Sequence, residues 1–399
     1  MEFFTLDDFD FNEKVVLLRV DINSPLDPDT FEIIDKTRIE AILPTLREVA
    51  EKGGKVVVLA HQGRPGKWDF KPLENHAKAL SKLLGKEVKY VDDIFGQKTK
   101  IAIERMKPGE VIMLKNVRTY EGEMAKKSPE EHSRCEMVQR LGAMSDYYIN
   151  DAFAASHRSQ ASLVGFSYVI PAVAGRLMEK ELKNLTKVFE NPERPTLFFF
   201  GGAKFADAIG MIKKLKKKEI ADHIALVGVA GEAFLAAKGV NLGKTMEIIE
   251  GSFEDARDLI DETIVLPIDF AYEKGGARNE VSIEDLPIDH MIYDIGTKSV
   301  DLFKGYIEKS KTIVVSGPVG KFEDELFMKG TRDLFKAITR SKGFSLAGGG
   351  HTLAALDKLG LKDKISYVST GGGALEKFML GEPLPVLEAL EHSYKKFSS

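Results

Sequence analysis

The feature that most constrains this chain of 399 residues is a unit repeated along its length. A short apolar run is followed by a polar or glycine-rich turn and then by a stretch of helical periodicity. In the first half the runs are Val15–Val20, Val56–Ala60, Val111–Leu114 and Tyr147–Ile149. In the second half they are Leu197–Phe200, Ile224–Val229, Ile264–Leu266, Met291–Ile295, Thr312–Val315, Phe344–Ala347 and Ile365–Val368. Continuous rather than alternating runs, rich in Val and Ile, predict strands buried on both faces. Helix-period segments between them, such as 38–52 and 73–84, make βαβ units and hence parallel sheets. About a dozen strands are too many for one sheet of ordinary size, and the length suits two domains of about 100–200 residues. The predicted fold class is therefore α/β, with two doubly wound, Rossmann-like parallel-sheet domains.

A boundary is expected around 172–195. The stretch RLMEKELKNLTKVFENPERP reads as an amphipathic helix, with Leu177, Met178, Leu182, Leu185 and Phe189 near one face. It stops at Asn191-Pro192. A helical hinge would then join domains at 1–172 and 173–382. Charge narrows the partners. Lys+Arg total 57 against 61 Asp+Glu, for a net charge of −4, a balance that argues against nucleic acid or an anionic membrane. The lone cysteine, Cys135, forms no intrachain disulfide, which suits a reducing interior. The acidic N-terminus resembles no signal peptide, and the charge-free stretch 159–175 is too short for a spanning helix. The expectation is a cytoplasmic protein; monomer and homodimer both stay open.

In open α/β sheets ligands bind beyond the carboxyl ends of the strands, so the residues just after each run carry the chemistry. In the first domain these are Asp21-Ile22-Asn23, His61-Gln62-Gly63-Arg64, Lys115-Asn116-Val117-Arg118, and Asn150-Asp151 with His157-Arg158 beyond; Arg38 opens a nearby helix. One strand-end arginine is ordinarily a surface residue. Arg38, Arg64, Arg118 and Arg158 recurring at one end of a sheet, with His61, predict a pocket for a small polyanion.

The second domain has glycine where the first has arginine. Its turns are Gly201-Gly202-Ala203-Lys204, Gly228, Ser316-Gly317-Pro318, Gly348-Gly349-Gly350 and Ser369-Thr370-Gly371-Gly372-Gly373. Bare backbone N–H groups at helix N-termini cradle phosphates. One such loop would only mark a tight turn; five, one with a lysine, favour a nucleotide. Other motifs carry less. Gly239–Thr245 resembles a phosphate loop but is one residue short between its glycines. His132 and Cys135 have metal-like spacing but no second pair, and a solvated helix face is expected there. Lys213–Lys218 lacks aromatic interleaving and reads as another solvated face.

The stretches LLRVDINSPL, TRIEAILPTL, AHQGRPGK, LKNVRTYEGE, YINDAFAASHRSQAS, GGAKFADAI, DIGTKSV, VSGPVGKFEDELFMKGT, AGGGHTLAAL and STGGGALEKF resemble, in order, the motifs of phosphoglycerate kinase. The resemblance covers nearly the whole chain. It implies a glycolytic or gluconeogenic enzyme that moves a phosphoryl group between ATP and the carboxylate of 3-phosphoglycerate, in line, after domain closure. The N-terminal domain would hold 3-phosphoglycerate through Asp21, Ile22, Asn23, Arg38, His61, Gln62, Gly63, Arg64, Arg118 and Arg158. The C-terminal domain would hold ATP or ADP through Gly202, Lys204, Gly228, Pro318, Glu323 (on the ribose), Gly349, Gly350, His351 and Thr352. Arg38, Lys204 and the helix start Gly371, Gly372 and Gly373 would be catalytic. A C-terminal tail, about 383–399, would pack back on the first domain.

An ionised carboxylate acceptor needs no general base, and the sequence offers no base–nucleophile pair. Catalysis would then rest on positioning and charge stabilisation. Three positions depart from the common family pattern: Ala208 replaces a second lysine, Ser316 replaces the Asn of NGP, and His351 replaces the Asp of GGGD. No protein ligand is therefore assigned to metal, and Mg²⁺ would arrive with ATP or ADP, held by phosphates and water. A lysine of 213–218 is a candidate replacement for the lost charge. Two rivals remain. A nicotinamide-dependent dehydrogenase lacks its dinucleotide loop; a non-catalytic anion-binding protein accounts for the arginines but not for Lys204, Glu323 and the glycine turns.

Overall fold

The computed structural model describes residues 2–202, 205–249 and 253–398. Two units separate, Met1–Leu182 with Glu382–Ser399, and Lys183–Gly381. The division falls inside the helix Arg176–Phe189 rather than ahead of it at 172. Its first turn is tied to the first unit: Arg176 forks onto Glu48 (2.7 and 2.8 Å) and Asp7 (2.7 and 3.0 Å), and the Met178 N–H donates to the Asp151 carboxylate at 2.9 Å.

The first unit holds six parallel strands: β1 (Val15–Val20), β2 (Lys55–Leu59), β3 (Val88–Val91), β4 (Val111–Leu114), β5 (Tyr147–Asp151) and β6 (Ala172–Ala174). Their spatial order is β3-β4-β2-β1-β5-β6. Val16, Leu18, Val20, Val56 and Val58 are wholly buried in the core of one face. The pattern did not disclose β3, an edge strand with exposed Lys89, or β6, only three residues long. The helix expected over 38–52 is two, Thr37–Ala41 and Leu43–Glu51, because Pro44 has no N–H to continue the first.

The C-terminal helix Pro385–Phe397 belongs to this unit. Tyr394 packs on Phe4 with ring centroids 4.9 Å apart, and Ser393 Oγ accepts the Ala172 N–H at 2.7 Å. His132 corrects the sequence reading: it is fully buried, because its helix Pro129–Ser133 packs on 161–165 instead of facing solvent.

In the second unit six parallel strands run in the order β15-β14-β13-β7-β8-β9. They are β7 (Thr196–Phe200), β8 (His223–Leu226), β9 (Ile264–Val265), β13 (Thr312–Ser316), β14 (Phe344–Gly348) and β15 (Tyr367–Val368). A small antiparallel sheet, β11-β10-β12, is added by β10 (Asp269–Lys274), β11 (Ala277–Ser282) and β12 (Ile292–Ile295). The run 291–295 therefore lies in an antiparallel sheet, not in a doubly wound one. It pairs with β10 of a hairpin in which charged and apolar residues are mixed and which turns at Gly275-Gly276, both at positive φ, a hairpin signal the apolar runs do not contain. No described helix is long and apolar enough to cross a membrane.

Ser393 gives a test of the tail. Ser393→Ala leaves the buried Ala172 N–H without its acceptor and should cost about 1–3 kcal/mol in the unfolding of the first unit. The exposed Lys395→Ala should cost less than about 0.5 kcal/mol. Denaturant titration of both variants is the measurement.

Candidate active site

Both main sheets reverse their strand order beside the strand that begins them, between β1 and β5 in the first unit and between β7 and β13 in the second. Such reversals open a crevice at the carboxyl ends of the strands.

In the first unit the loop after β1 turns on Asp21, which is buried and accepts from the Asn23 N–H at 3.1 Å. Arg38 Nη1 donates to Asp21 at 2.9 Å while the arginine side chain stays 41% exposed. Asn23 Oδ1 accepts the Gly63 N–H at 2.9 Å, joining the loops after β1 and β2. Gln62 completes that join. Its amide exchanges hydrogen bonds with the Ser24 backbone (3.0 and 3.1 Å), and His76 Nε2 lies 3.0 Å from its Oε1. Asn116, after β4, donates to the Gln62 carbonyl at 2.8 Å, and Arg118 donates to the Gly63 carbonyl at 2.5 Å.

Beneath this lies a group the sequence reading passed over. Arg19 sits within β1, wholly buried. Its Nε donates to Ser162 Oγ at 2.8 Å, and Ser162 Oγ donates in turn to the buried Glu123 at 2.6 Å. Its Nη2 lies 3.1 Å from His61 Nδ1. A guanidinium has donors only, so Nδ1 accepts and the proton of a neutral His61 ring sits on Nε2. That Nε2 is buried with no hydrogen-bond partner among the described residues. Burial holds His61 well below the usual histidine range; Asp21 opposes this, and Arg19, Arg118 and Arg158 reinforce it. The ring is thus a neutral donor among cations.

The cations are crowded. Burial pushes Arg118 down to about 10, with Arg158 and Arg19 adding repulsion. Arg158 is also lowered, first by burial and then, against Asp21, by Arg19, Arg64 and Arg38. Arg118 Nε and Arg158 Nη1 are buried with no hydrogen-bond partner among the described residues. Excess buried positive charge with free donors is an anion site. Arg64 is exposed at its margin, and Ile22 is core, fully buried and apolar.

In the second unit the loops after β7 and β13 touch. Gly201 N–H donates to the Ser316 carbonyl at 2.8 Å and Gly202 N–H to the Pro318 carbonyl at 3.0 Å. A Cβ on Gly201 would stand 2.0 Å from the Pro318 oxygen, and one on Gly317, at φ +96°, 2.3 Å from the Gly201 oxygen. Only glycine permits this crossing. Thr352 is buried, and its hydroxyl accepts the Gly317 N–H at 2.7 Å, bracing the same loop.

Two cavities flank the crossing and share Gly202 and His351. One, about 260 Å³, runs from Gly228 and Pro318 to Glu323 and has an apolar wall of Val229, Phe270, Ile292 and Ile295. The other, about 390 Å³, faces the N-terminus of the helix Gly350–Leu359 through Gly349, Gly350 and Thr352, with Ser316, Ala208 and Glu376. A helix N-terminus beside bare glycine amides favours phosphate.

A family model described as phosphoglycerate kinase matches residues 6–382. The chain belongs to the phosphoglycerate kinase family. The phosphoglycerate kinase of Methanococcus maripaludis is 45% identical over 99% of both chains. Solved structures of the phosphoglycerate kinases from Pyrococcus horikoshii and Coxiella burnetii both superpose with TM-scores of 0.87. Their identities are 40% and 31%, and the alignments cover 99% and 98% of this chain and 100% and 99% of theirs. Membership carries the activity: a phosphotransferase of glycolysis with a carboxyl group as acceptor.

Within this family member, Asp21, Asn23, Arg38, Gln62, Gly63 and Arg118 meet in one hydrogen-bonded set, bridged by Ser24 and Asn116, with His61, Arg158 and Arg64 electrostatically coupled to it. Gly202, Gly228, Pro318, Glu323, Gly349, Gly350, His351 and Thr352 line the two cavities. Gly371, Gly372 and Gly373 line neither; they open the helix Gly373–Leu380, whose Glu376 does. Lys204 lies outside the described residues. Three of the lysines offered in place of Ala208 are engaged elsewhere. Lys213 pairs with Asp255 at 2.7 Å, Lys214 donates to the Phe378 carbonyl at 2.9 Å, and Lys216 pairs with Asp261. Among the described residues no three His, Cys, Asp or Glu side chains gather to hold a metal.

His61 yields a prediction. Nitrogen chemical shifts should show Nδ1 unprotonated and Nε2 protonated throughout pH 8 to 6.5. An imidazolium appearing in that range, or the opposite tautomer, would contradict the site's electrostatics.

Proposed function

We propose that the first unit binds 3-phosphoglycerate and the second binds ATP or ADP, with transfer in line once the two units close and exclude water. The observation that carries this reading is the partly buried, under-neutralised cluster of Arg38, Arg118 and Arg158 about Asp21. A substrate with a phosphate at one end and a carboxylate at the other supplies the charge that cluster lacks. Neutral His61 adds one Nε2–H to the anion without a further cation.

No general base is required, because the acceptor carboxylate is already ionised at neutral pH. The transition state spreads negative charge over the moving phosphoryl oxygens. Arg38 is held by Asp21 through one guanidinium nitrogen while its side chain stays part-exposed, which suits the rest of the guanidinium to meet that charge. Lys204 and the amides of Gly371–Gly373 are assigned the opposite side. Mg²⁺ is part of the substrate: it travels on the nucleotide phosphates, which neutralises charge there. The second cavity, with a single carboxylate in Glu376, makes no all-protein cage for it. The compartment proposed is the cytoplasm.

The test is a coupled assay of ATP-dependent phosphorylation of 3-phosphoglycerate. Arg38→Ala should lower kcat by ~10³-fold or more, as loss of an arginine finger does. A near-normal kcat in that variant would remove Arg38 from the mechanism.

A further inference from the structure

The apolar cavity holds an acid for which the phosphoryl-transfer scheme has no use. Glu232 lies on the helix Gly228–Ala237 and lines the cavity while only 6% exposed. Its carboxyl has no hydrogen-bonding or ionic partner among the described residues. The other acids of the wall differ from it. Asp294 is ion-paired: its Oδ2 accepts from Arg278 and from the Gly330 N–H, each at 2.8 Å, while its Oδ1 lies buried beside Gly320 and Gly330 without a hydrogen-bond partner among the described residues. Glu323 is exposed. Burying a carboxyl among Val229, Phe270, Ile292 and Ile295 without a partner is costly, and such a group in a cavity is accounted for by a ligand that pairs with it.

We propose that the Glu232 carboxyl reads the hydrogen-bonding edge of the donor nucleotide's base, an inference that rests on the nucleotide site assigned above. Burial pushes this acid up to about 8, so at neutral pH it is mainly protonated and offers one O–H donor beside one C=O acceptor. Adenine presents the complement, with its N1 acceptor next to its 6-amino donor. The apolar wall takes the ring faces, and the phosphates then extend past Gly202 to the second cavity.

The experiment measures KM for ATP and for purine riboside 5′-triphosphate, which lacks the 6-amino group, in the wild type, Glu232→Gln and Glu232→Leu. In the wild type the analogue should have a KM about tenfold higher, the worth of one buried hydrogen bond. Glu232→Gln keeps a donor and an acceptor and should keep that ratio. Glu232→Leu should bring it near one. A merely structural glutamate would not move a ratio measured within one variant. Glu232→Met serves if the leucine variant does not fold. A wild-type ratio of one, or a ratio unaltered in the leucine or methionine variant, overturns the assignment. Failure of the nucleotide site itself looks different: the wild type would then not use ATP at all.

Discussion

Parallel strands whose order reverses cannot both be covered at their carboxyl ends, and that constraint places everything functional in this protein. In the first unit the reversal between β1 and β5 brings Asp21 from one side and Arg158 from the other into the same electrostatic field. In the second it brings the turns after β7 and β13 so close that neither Gly201 nor Gly317 can carry a side chain. The same topology thus makes a cationic crevice in one unit and a backbone-lined one in the other.

The cationic crevice depends on a charge it does not display. Arg19, buried under the loops, is offset by Glu123 through Ser162, and its other end fixes the His61 tautomer. A guanidinium inside a sheet would otherwise be prohibitively costly. Even so offset, its charge still acts on Arg118 and Arg158 and adds to the cationic character of the crevice. Gln62 and Asn116 contribute rigidity instead, fastening the loops after three strands to one another so that the cluster is held before substrate arrives.

Much of this was legible in the residues. Continuous apolar runs marked both parallel sheets, and the residues at the carboxyl end of each run included Asp21, His61 and Arg118. The charge in VVLLRV was equally visible, but it was subsumed in a run read as apolar; a single Arg in a strand buried on both faces is itself a signal. The small antiparallel sheet was hidden because β10 and β11 mix charged and apolar residues and leave only Gly275-Gly276 as a mark. His132 was misjudged because a five-residue helix carries too little periodicity to say which face is buried. Glu376 and Glu232 could not be found by reading strand ends, since both lie within helices, beyond the turns.

The division of labour between the units is tested most directly by hydrogen exchange with each ligand alone. The account predicts that 3-phosphoglycerate slows exchange at 21–24, 61–64 and 116–118, and that Mg-ADP slows it at 201–202, 228–232, 317–320 and 349–352. Protection by 3-phosphoglycerate centred on the glycine turns, or by Mg-ADP centred on the arginine cluster, would contradict it.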